Sequence, residues 1–154
     1  MNNLYMSIAL KEAKKAYNIG DIPVGAVIVK NDKIIAKAYN KKNKMKDPTC
    51  HAEILAIKKA CRKVGDFRLE GASIYITLEP CVMCYGAILS ARIDNIYFGA
   101  SDNKFSINEL KNHVQFNHQA KIEGGVMGKQ CSELLSDFFK KLRSEKSANR
   151  NTEN

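Results

Sequence analysis

The sequence predicts an α/β fold in which helices pack on both faces of one mixed β-sheet. Segments with apolar residues at helical spacing alternate with short β-branched and aromatic runs, a pattern typical of layered α/β proteins. The first two of these runs are separated only by the turn Asn31-Asp32. They are therefore expected to form an antiparallel hairpin, so the sheet cannot be wholly parallel.

The individual elements follow from the same patterns. Helices are expected over residues 4–19, 51–64, 81–92 and 129–143. Strands are expected over residues 24–29, 33–39, 72–78 and 95–99. Gly20 and Gly65 follow two of the helices as stop signals. The polar, basic residues 40–49 predict a loop that leads into the second helix.

Length and composition indicate a single soluble domain. The chain has 154 residues, of which 45% are hydrophobic and 27% charged, which suits one domain with one core. We expect residues 1–143 to form this domain and the polar residues 144–154 to be a disordered tail. No apolar run approaches the roughly 20 residues that span a bilayer. The N-terminal residues lack the features of a signal peptide, so we expect a cytoplasmic protein.

The formal net charge of +9 has two interpretations. Lysine and arginine side chains can neutralise phosphates and release counterions, so the excess favours a polyanionic partner such as a nucleic acid. A lysine-rich solvated surface would give the same number. Charge alone does not decide between the two.

The cysteines point to a metal or to redox chemistry. There are five of them, at positions 50, 61, 81, 84 and 131. An odd number in a chain without an evident export signal argues against a disulfide framework. Cys81 and Cys84 form a Cys-x-x-Cys pair directly after Glu79-Pro80, at the start of a predicted helix. There the helix dipole favours thiolates that can bind a metal. A redox pair or two buried small residues would also explain this motif alone.

A third ligand comes from His51, which lies at the start of another predicted helix. One histidine with two cysteines leaves the fourth tetrahedral position of zinc for water, as in catalytic rather than structural sites. Zinc lowers the pKa of such a water to about 7. Glu53, two residues after His51, is then placed to accept and deliver protons. A structural site would need a fourth protein ligand, and Cys50 would compete geometrically with the adjacent His51.

Several motifs resemble those of a known enzyme family. They are Ile22-Pro23-Val24-Gly25-Ala26-Val27, Asp47-Pro48-Thr49, His51-Ala52-Glu53-Ile54, Thr77-Leu78-Glu79-Pro80-Cys81-Val82-Met83-Cys84, Gly86-Ala87-Ile88, Ser90-Ala91-Arg92-Ile93, Phe98-Gly99-Ala100 and Leu134-Leu135-Ser136-Asp137-Phe138-Phe139. The segments His51-Ala52-Glu53 and Pro80-Cys81-Val82-Met83-Cys84 together match the zinc signature of nucleobase deaminases. Over residues 6–143 the sequence resembles the cytidine deaminase superfamily and, within it, the bacterial tRNA-specific adenosine deaminases.

This resemblance implies more than the residues show by themselves. It implies a three-layer α/β/α fold with a five-stranded mixed sheet, and a Zn²⁺ ion held by His51, Cys81 and Cys84. It implies hydrolysis of adenosine to inosine at the wobble position of a tRNA anticodon, with Asn40 and Ala52 contacting the substrate. Asn40 also suits an ordinary turn after a strand. A homodimer is implied too. We expect the helix that starts at Cys81 and the loop after it to contribute to its interface, with the apolar Ile88 and Leu89 as weak support.

One segment departs from the family pattern, and two other functions remain open. Asp102 and Lys104 match the family, but residues 105–108 lack its glycines, which leaves the choice of substrate open. A guanine deaminase, or an enzyme acting on another free base or nucleoside, would share the four chemical residues. A non-catalytic, zinc-stabilised module that binds nucleic acid is a more remote alternative, because it has no use for Glu53.

Overall fold

The computed structural model describes residues 1–153, which form five strands and six helices. The strands are β1 (Gly25–Lys30), β2 (Lys33–Tyr39), β3 (Ala72–Leu78), β4 (Asn95–Ala100) and β5 (Lys121–Glu123). The helices are α1 (Asn2–Asn18), α2 (Lys42–Met45), α3 (Ala52–Val64), α4 (Val82–Ser90), α5 (Ile107–His113) and α6 (Gly128–Thr152).

The strands form one mixed sheet in the order β2-β1-β3-β4-β5. The expected hairpin is present, because β1 pairs antiparallel with β2 and, on its other side, antiparallel with β3. The β3–β4 and β4–β5 pairs are parallel. The mixed, five-stranded sheet predicted for this chain is therefore confirmed.

Helices cover both faces of this sheet, so the three-layer arrangement is confirmed as well. Successive strand residues point to opposite faces. In β1, Ile28 packs in the cluster that contains the buried side of α3 and α4. Its neighbour Val27 packs in the cluster that contains α1 and Cys131 of α6. A Cβ on Gly25 would overlap the carbonyl oxygen of Ala9, so this glycine permits α1 to lie close against the sheet.

Three short elements lie where sequence patterns predicted only loops. Helix α2 is a single turn with no buried residue, and α5 has only Ile107 buried. Strand β5 has three residues and pairs in parallel with the edge of β4. Elements this short carry too few apolar positions to show a periodicity.

The C-terminal segment differs from its expectation. Residues 144–152 were predicted to be disordered, but they continue α6 to Thr152. All of their side chains are exposed, so tertiary packing does not hold this extension. It continues a helix whose earlier turns are packed, and four of its nine residues (Glu145, Lys146, Ala148 and Arg150) are good helix formers. The Thr152 hydroxyl also donates to the carbonyl of Asn149 within it.

A second correction concerns α4. Ile88 and Leu89 were expected to support a dimer interface, but they are 0% and 3% exposed within the single chain. Both belong to the core between the sheet and its helices.

Among the helices of residues 1–153, none has the length and apolar character needed to cross a membrane.

Candidate active site

Two helix starts bring the predicted metal ligands together at one edge of the sheet. His51 is the N-cap of α3 and Cys81 is the N-cap of α4. Both have extended backbones, with ψ of 153° and 174° respectively, so each chain turns sharply into its helix at that residue. Cys84 lies in the first turn of α4, three residues after Cys81, where its side chain shares a face with that of the N-cap.

The distances within this group fit a tetrahedral metal. The Nδ1 atom of His51 lies 3.7 Å from the sulfur of Cys81 and 3.5 Å from the sulfur of Cys84. Ligand atoms of all three residues lie within 4.8 Å of one another. Zn–S bonds of about 2.3 Å and Zn–N bonds of about 2.0 Å at a tetrahedral angle place nitrogen and sulfur about 3.6 Å apart. The three side chains therefore lie close enough together to hold a metal ion.

The protonation of the two thiols is strongly asymmetric. A hydrogen bond from the Cys84 thiol lowers the pKa of Cys81 to about 4, and the same contact raises the pKa of Cys84. The hydrogen bond to Cys81 likewise raises the pKa of His51. The lowered pKa favours the thiolate form of Cys81, the form of cysteine that binds a metal.

Glu53 lies beside this group in the first turn of α3. It is only 4% exposed, and burial raises the pKa of its carboxyl to about 7. The charge of the nearby His51 opposes that rise in the pKa of Glu53. A carboxyl group with a pKa near neutrality can both accept and release a proton, as a general acid–base requires.

The group opens into a small cavity of about 180 Å³. Its lining combines the predicted chemical residues with residues of three loops: Ile22, Val24, Asn40, Lys42, His51, Ala52, Glu53, Leu78, Glu79, Cys81 and Asp102. Two larger hollows, of about 480 and 910 Å³, lie elsewhere and contain none of the predicted site residues. The cavity of about 180 Å³ is smaller than the sites that hold drug-sized ligands, so it suits one small group.

Asn40 and Ala52, which the family resemblance implies as substrate contacts, both line this cavity. Asn40 is 6% exposed; its Nδ2 donates to the carbonyl of Ile22, and its Oδ1 accepts from the N–H of Lys42. The amide therefore fixes the turn after β2, yet each of its two ends has a second hydrogen-bonding position. Ala52 is the first residue of α3, and a helix cannot satisfy the N–H groups of its first turn from within.

Two buried carboxylates near the cavity hold backbone segments in place, and the sequence patterns did not predict this role. Asp21 is 1% exposed and accepts from the N–H groups of Asn43 and Lys44. Glu79 is 5% exposed and accepts from the N–H groups of Asp102 and Ile107. Each partner is more than twenty residues away in sequence, so no local pattern shows these contacts. Glu79 was noted only as part of the Pro-Cys-x-x-Cys motif.

The match to known proteins covers nearly the whole chain. The family model of MafB19-like deaminases matches residues 2–143. A tRNA-specific adenosine deaminase of Bacillus subtilis (strain 168) is 45% identical in an alignment of 153 residues that covers 97% of this chain and 95% of the relative. The chain belongs to the tRNA-specific adenosine deaminase family. The family predicted from the sequence motifs is thus confirmed, and with it the assignment as a hydrolytic deaminase.

Solved structures agree with this membership. A structure from a study of A-to-I editing by tRNA:A34 deaminases superimposes with a TM-score of 0.80 at 38% identity, covering 85% of this chain and 98% of that one. The guanine deaminase of Bacillus subtilis is 41% identical with a TM-score of 0.61, but covers 64% of this chain and 63% of its own. The structural match to the tRNA:A34 deaminase therefore covers more of this chain, with a higher TM-score, than the match to the guanine deaminase.

Proposed function

We propose that this deaminase hydrolyses adenosine to inosine at the wobble position of a tRNA anticodon, with Zn²⁺ as its cofactor. The observation that carries the proposal is the convergence of His51, Cys81 and Cys84 beside a small cavity that His51, Cys81 and the buried Glu53 line. The reaction replaces the exocyclic amine of the base by an oxygen from water and releases ammonia.

The residues divide the work as follows. His51, Cys81 and Cys84 would hold the zinc, which when bound would supply a water molecule activated for hydrolysis. Glu53 would accept a proton at its carboxylate and deliver protons to the ring nitrogen and the departing amine. Asn40 and the N–H of Ala52 orient the base. Cys50, the alternative fourth ligand, lies outside the three-residue group, which supports a site with an open position.

Basic side chains on one side of the molecule support an RNA substrate. Lys42 lines the cavity, and Lys44 is pinned through its backbone to Asp21 at the end of α1. Lys141 of α6 lies over the ring of Tyr17, 5.3 Å from its centroid, also at the end of α1. The basic residues of the 41–46 segment and of α6 thus flank the same part of α1. Phosphate contacts of this kind supply affinity without reading sequence.

We also propose a homodimer and a cytoplasmic location. The first turn of α4 leaves Val82 and Met83 55% and 38% exposed beside the metal ligands, and apolar side chains in that position suit burial against a second subunit. Light scattering at micromolar concentration should give twice the chain mass, and a monomer would contradict the dimer. The location follows from the proposed substrate and is checked by cell fractionation.

The test is an inosine assay on a panel of anticodon stem-loops, with free adenosine, guanine and cytosine as control substrates. Inosine is expected at the wobble adenosine of at least one stem-loop. Because several phosphates are contacted, the activity should fall steeply between about 50 and 200 mM salt. A protein that leaves every stem-loop unchanged would refute the RNA substrate.

A guanine deaminase is the second candidate, supported by the 41% identity to the guanine enzyme of Bacillus subtilis. It would use the same zinc group and the same Glu53. The assay separates the two functions: efficient, salt-insensitive deamination of free guanine without inosine in any stem-loop would favour this candidate.

A further inference from the structure

A buried carboxylate braces the segment that begins at Asp102, one of the residues that line the cavity. Glu79 follows the last residue of β3, and its own N–H donates to the carbonyl of Ala100 at the end of β4 (2.8 Å). Its Oε1 accepts from the N–H of Asp102 at 3.3 Å, and its Oε2 accepts from the N–H of Ile107 at 3.2 Å. One side chain thus holds both ends of residues 102–107.

This segment has few other local anchors. Ser106 is the N-cap of α5, but its side chain makes no capping hydrogen bond. Ile107 is fully buried and fixes the start of α5 in the core. Asp102 lines the cavity, so the position of its backbone bears directly on the cavity's shape.

Burial of the Glu79 carboxylate costs free energy unless hydrogen bonds replace its lost hydration. A carboxylate that is 5% exposed loses most of its hydration. Among the ion pairs of residues 1–153, none involves Glu79. Its negative charge is therefore stabilised by backbone N–H groups, a charge-assisted arrangement that is stronger than a neutral hydrogen bond.

We propose that Glu79 is a positioning residue for substrate binding: it brackets residues 102–107 and thereby sets the wall of the base cavity that contains Asp102. Zinc binding and proton transfer depend on other side chains. The inference rests on the proposed function for its kinetic readout, but not for its structural readout.

The bracket is the pair of hydrogen bonds that Glu79 accepts from the N–H groups of Asp102 and Ile107. Glu79→Gln tests it with the smallest change of shape. A glutamine presents one accepting oxygen and one donating NH₂ group. One of the two backbone N–H groups then faces a donor, and one bracket contact is lost. Glu70→Gln is the matched control, because Glu70 is an exposed glutamate whose partner is the surface residue Arg92.

The first measurement is amide hydrogen exchange by NMR on the zinc-loaded proteins. In Glu79→Gln, protection at the N–H of Asp102 or Ile107 should fall about tenfold or more, while amides at the start of α3 and α4 keep theirs. In Glu70→Gln both bracket amides should keep their protection. Unchanged exchange at both amides in Glu79→Gln would overturn the proposal whatever the substrate is.

The second measurement is steady-state kinetics on the stem-loop that the wild type deaminates best. Loss of one charge-assisted hydrogen bond corresponds to about 10- to 100-fold. KM should therefore rise by at least about tenfold, with kcat within about twofold and one zinc per chain retained. A fall in kcat at constant KM would assign Glu79 to the chemistry instead and overturn the proposal.

Two further arms keep the outcomes distinct. A wild type that is inactive on every stem-loop refutes the proposed function, and the amide exchange then decides the bracket alone. If Glu79→Gln does not fold, Glu79→Asp replaces it, because it keeps the charge but is one methylene too short to reach both N–H groups. The same fall in protection is expected, and its absence counts against the bracket.

Discussion

The three metal ligands and the loops at the rim of the cavity are held by different kinds of contact. His51, Cys81 and Cys84 are positioned by the starts of two helices, and the cysteines are neighbours in sequence. The rim comprises residues 42–44 and 102–107. It is positioned by two buried carboxylates, Asp21 and Glu79, whose backbone partners are 22 to 28 residues away in sequence. Each metal ligand is therefore positioned by the start of its own helix, although His51 and Cys81 are 30 residues apart in sequence. The rim, in contrast, is positioned by hydrogen bonds between side chains and distant backbone N–H groups.

This difference separates two properties of the enzyme. Changes in the metal group should remove metal or chemistry while leaving the rim intact. Changes in the rim should alter substrate binding while leaving the metal in place. The comparison fails if either kind of change has the other effect.

The largest effect is expected from Cys84→Ala. Three protein ligands are the minimum for a catalytic zinc site, so the variant should bind no zinc and show no deamination above background. Elemental analysis of the purified protein measures the metal, with one zinc per chain expected for the wild type. Cys61→Ala is the control, because Cys61 lies on α3 with its thiol directed to the carbonyl of Phe67. A Cys84→Ala protein with a full complement of zinc would contradict the ligand assignment.

Glu53→Gln should remove the chemistry without removing the metal. Glutamine keeps the shape of the side chain but cannot carry a proton, and general acid–base groups contribute about 10²- to 10⁴-fold. We expect kcat to fall by that factor with one zinc per chain retained. Glu12→Gln is a matched control, since Glu12 is also 4% exposed but lies on α1 and pairs with Lys15. Near-normal turnover by zinc-loaded Glu53→Gln would remove Glu53 from the mechanism.

The same division explains what could be predicted from the sequence. The bounds of β2 and β3 agree with the prediction, because turn residues delimit both β-branched runs. The metal group was predictable, because a histidine two residues before a glutamate and a Cys-x-x-Cys pair are both local patterns. His51 and Cys81 proved to be N-caps rather than first helical residues, an error of one position. The number of strands came from the family resemblance, since β5 has only three residues.

The rim could not be predicted in the same way. Asp21 resembles an ordinary polar residue after a helix stop, and nothing near it in the sequence identifies Asn43 as its partner. Helix α2 exists largely through these contacts, since it buries no side chain of its own. Long-range contacts of this kind become visible only when the fold brings the two segments together.

Asp21→Asn should affect the rim alone. The asparagine can accept from only one of the two N–H groups, so we expect a loss of about 1–2 kcal/mol in the free energy of unfolding. KM for a stem-loop should rise severalfold, because Lys42 at the cavity is carried by the loosened segment. Urea unfolding and steady-state kinetics measure the two effects. Asp66→Asn is the control, as Asp66 makes a similar contact to the N–H of Arg68 far from the cavity. Loss of zinc in Asp21→Asn would show that rim and metal group are not separate.

The smallest effect is expected from truncation after Arg143, which tests whether the functional domain ends there. The removed residues, 144–154, are exposed wherever the structure describes them, so their loss should change the free energy of unfolding by less than about 0.5 kcal/mol. They contain two basic and two acidic residues, Lys146, Arg150, Glu145 and Glu153, so the net charge stays at +9. Phosphate binding should then be unchanged, with the same KM and the same dependence of KM on salt as the full chain. A lower salt dependence after truncation would instead place Lys146 or Arg150 against the RNA, and would extend the substrate-binding rim into the last turns of α6.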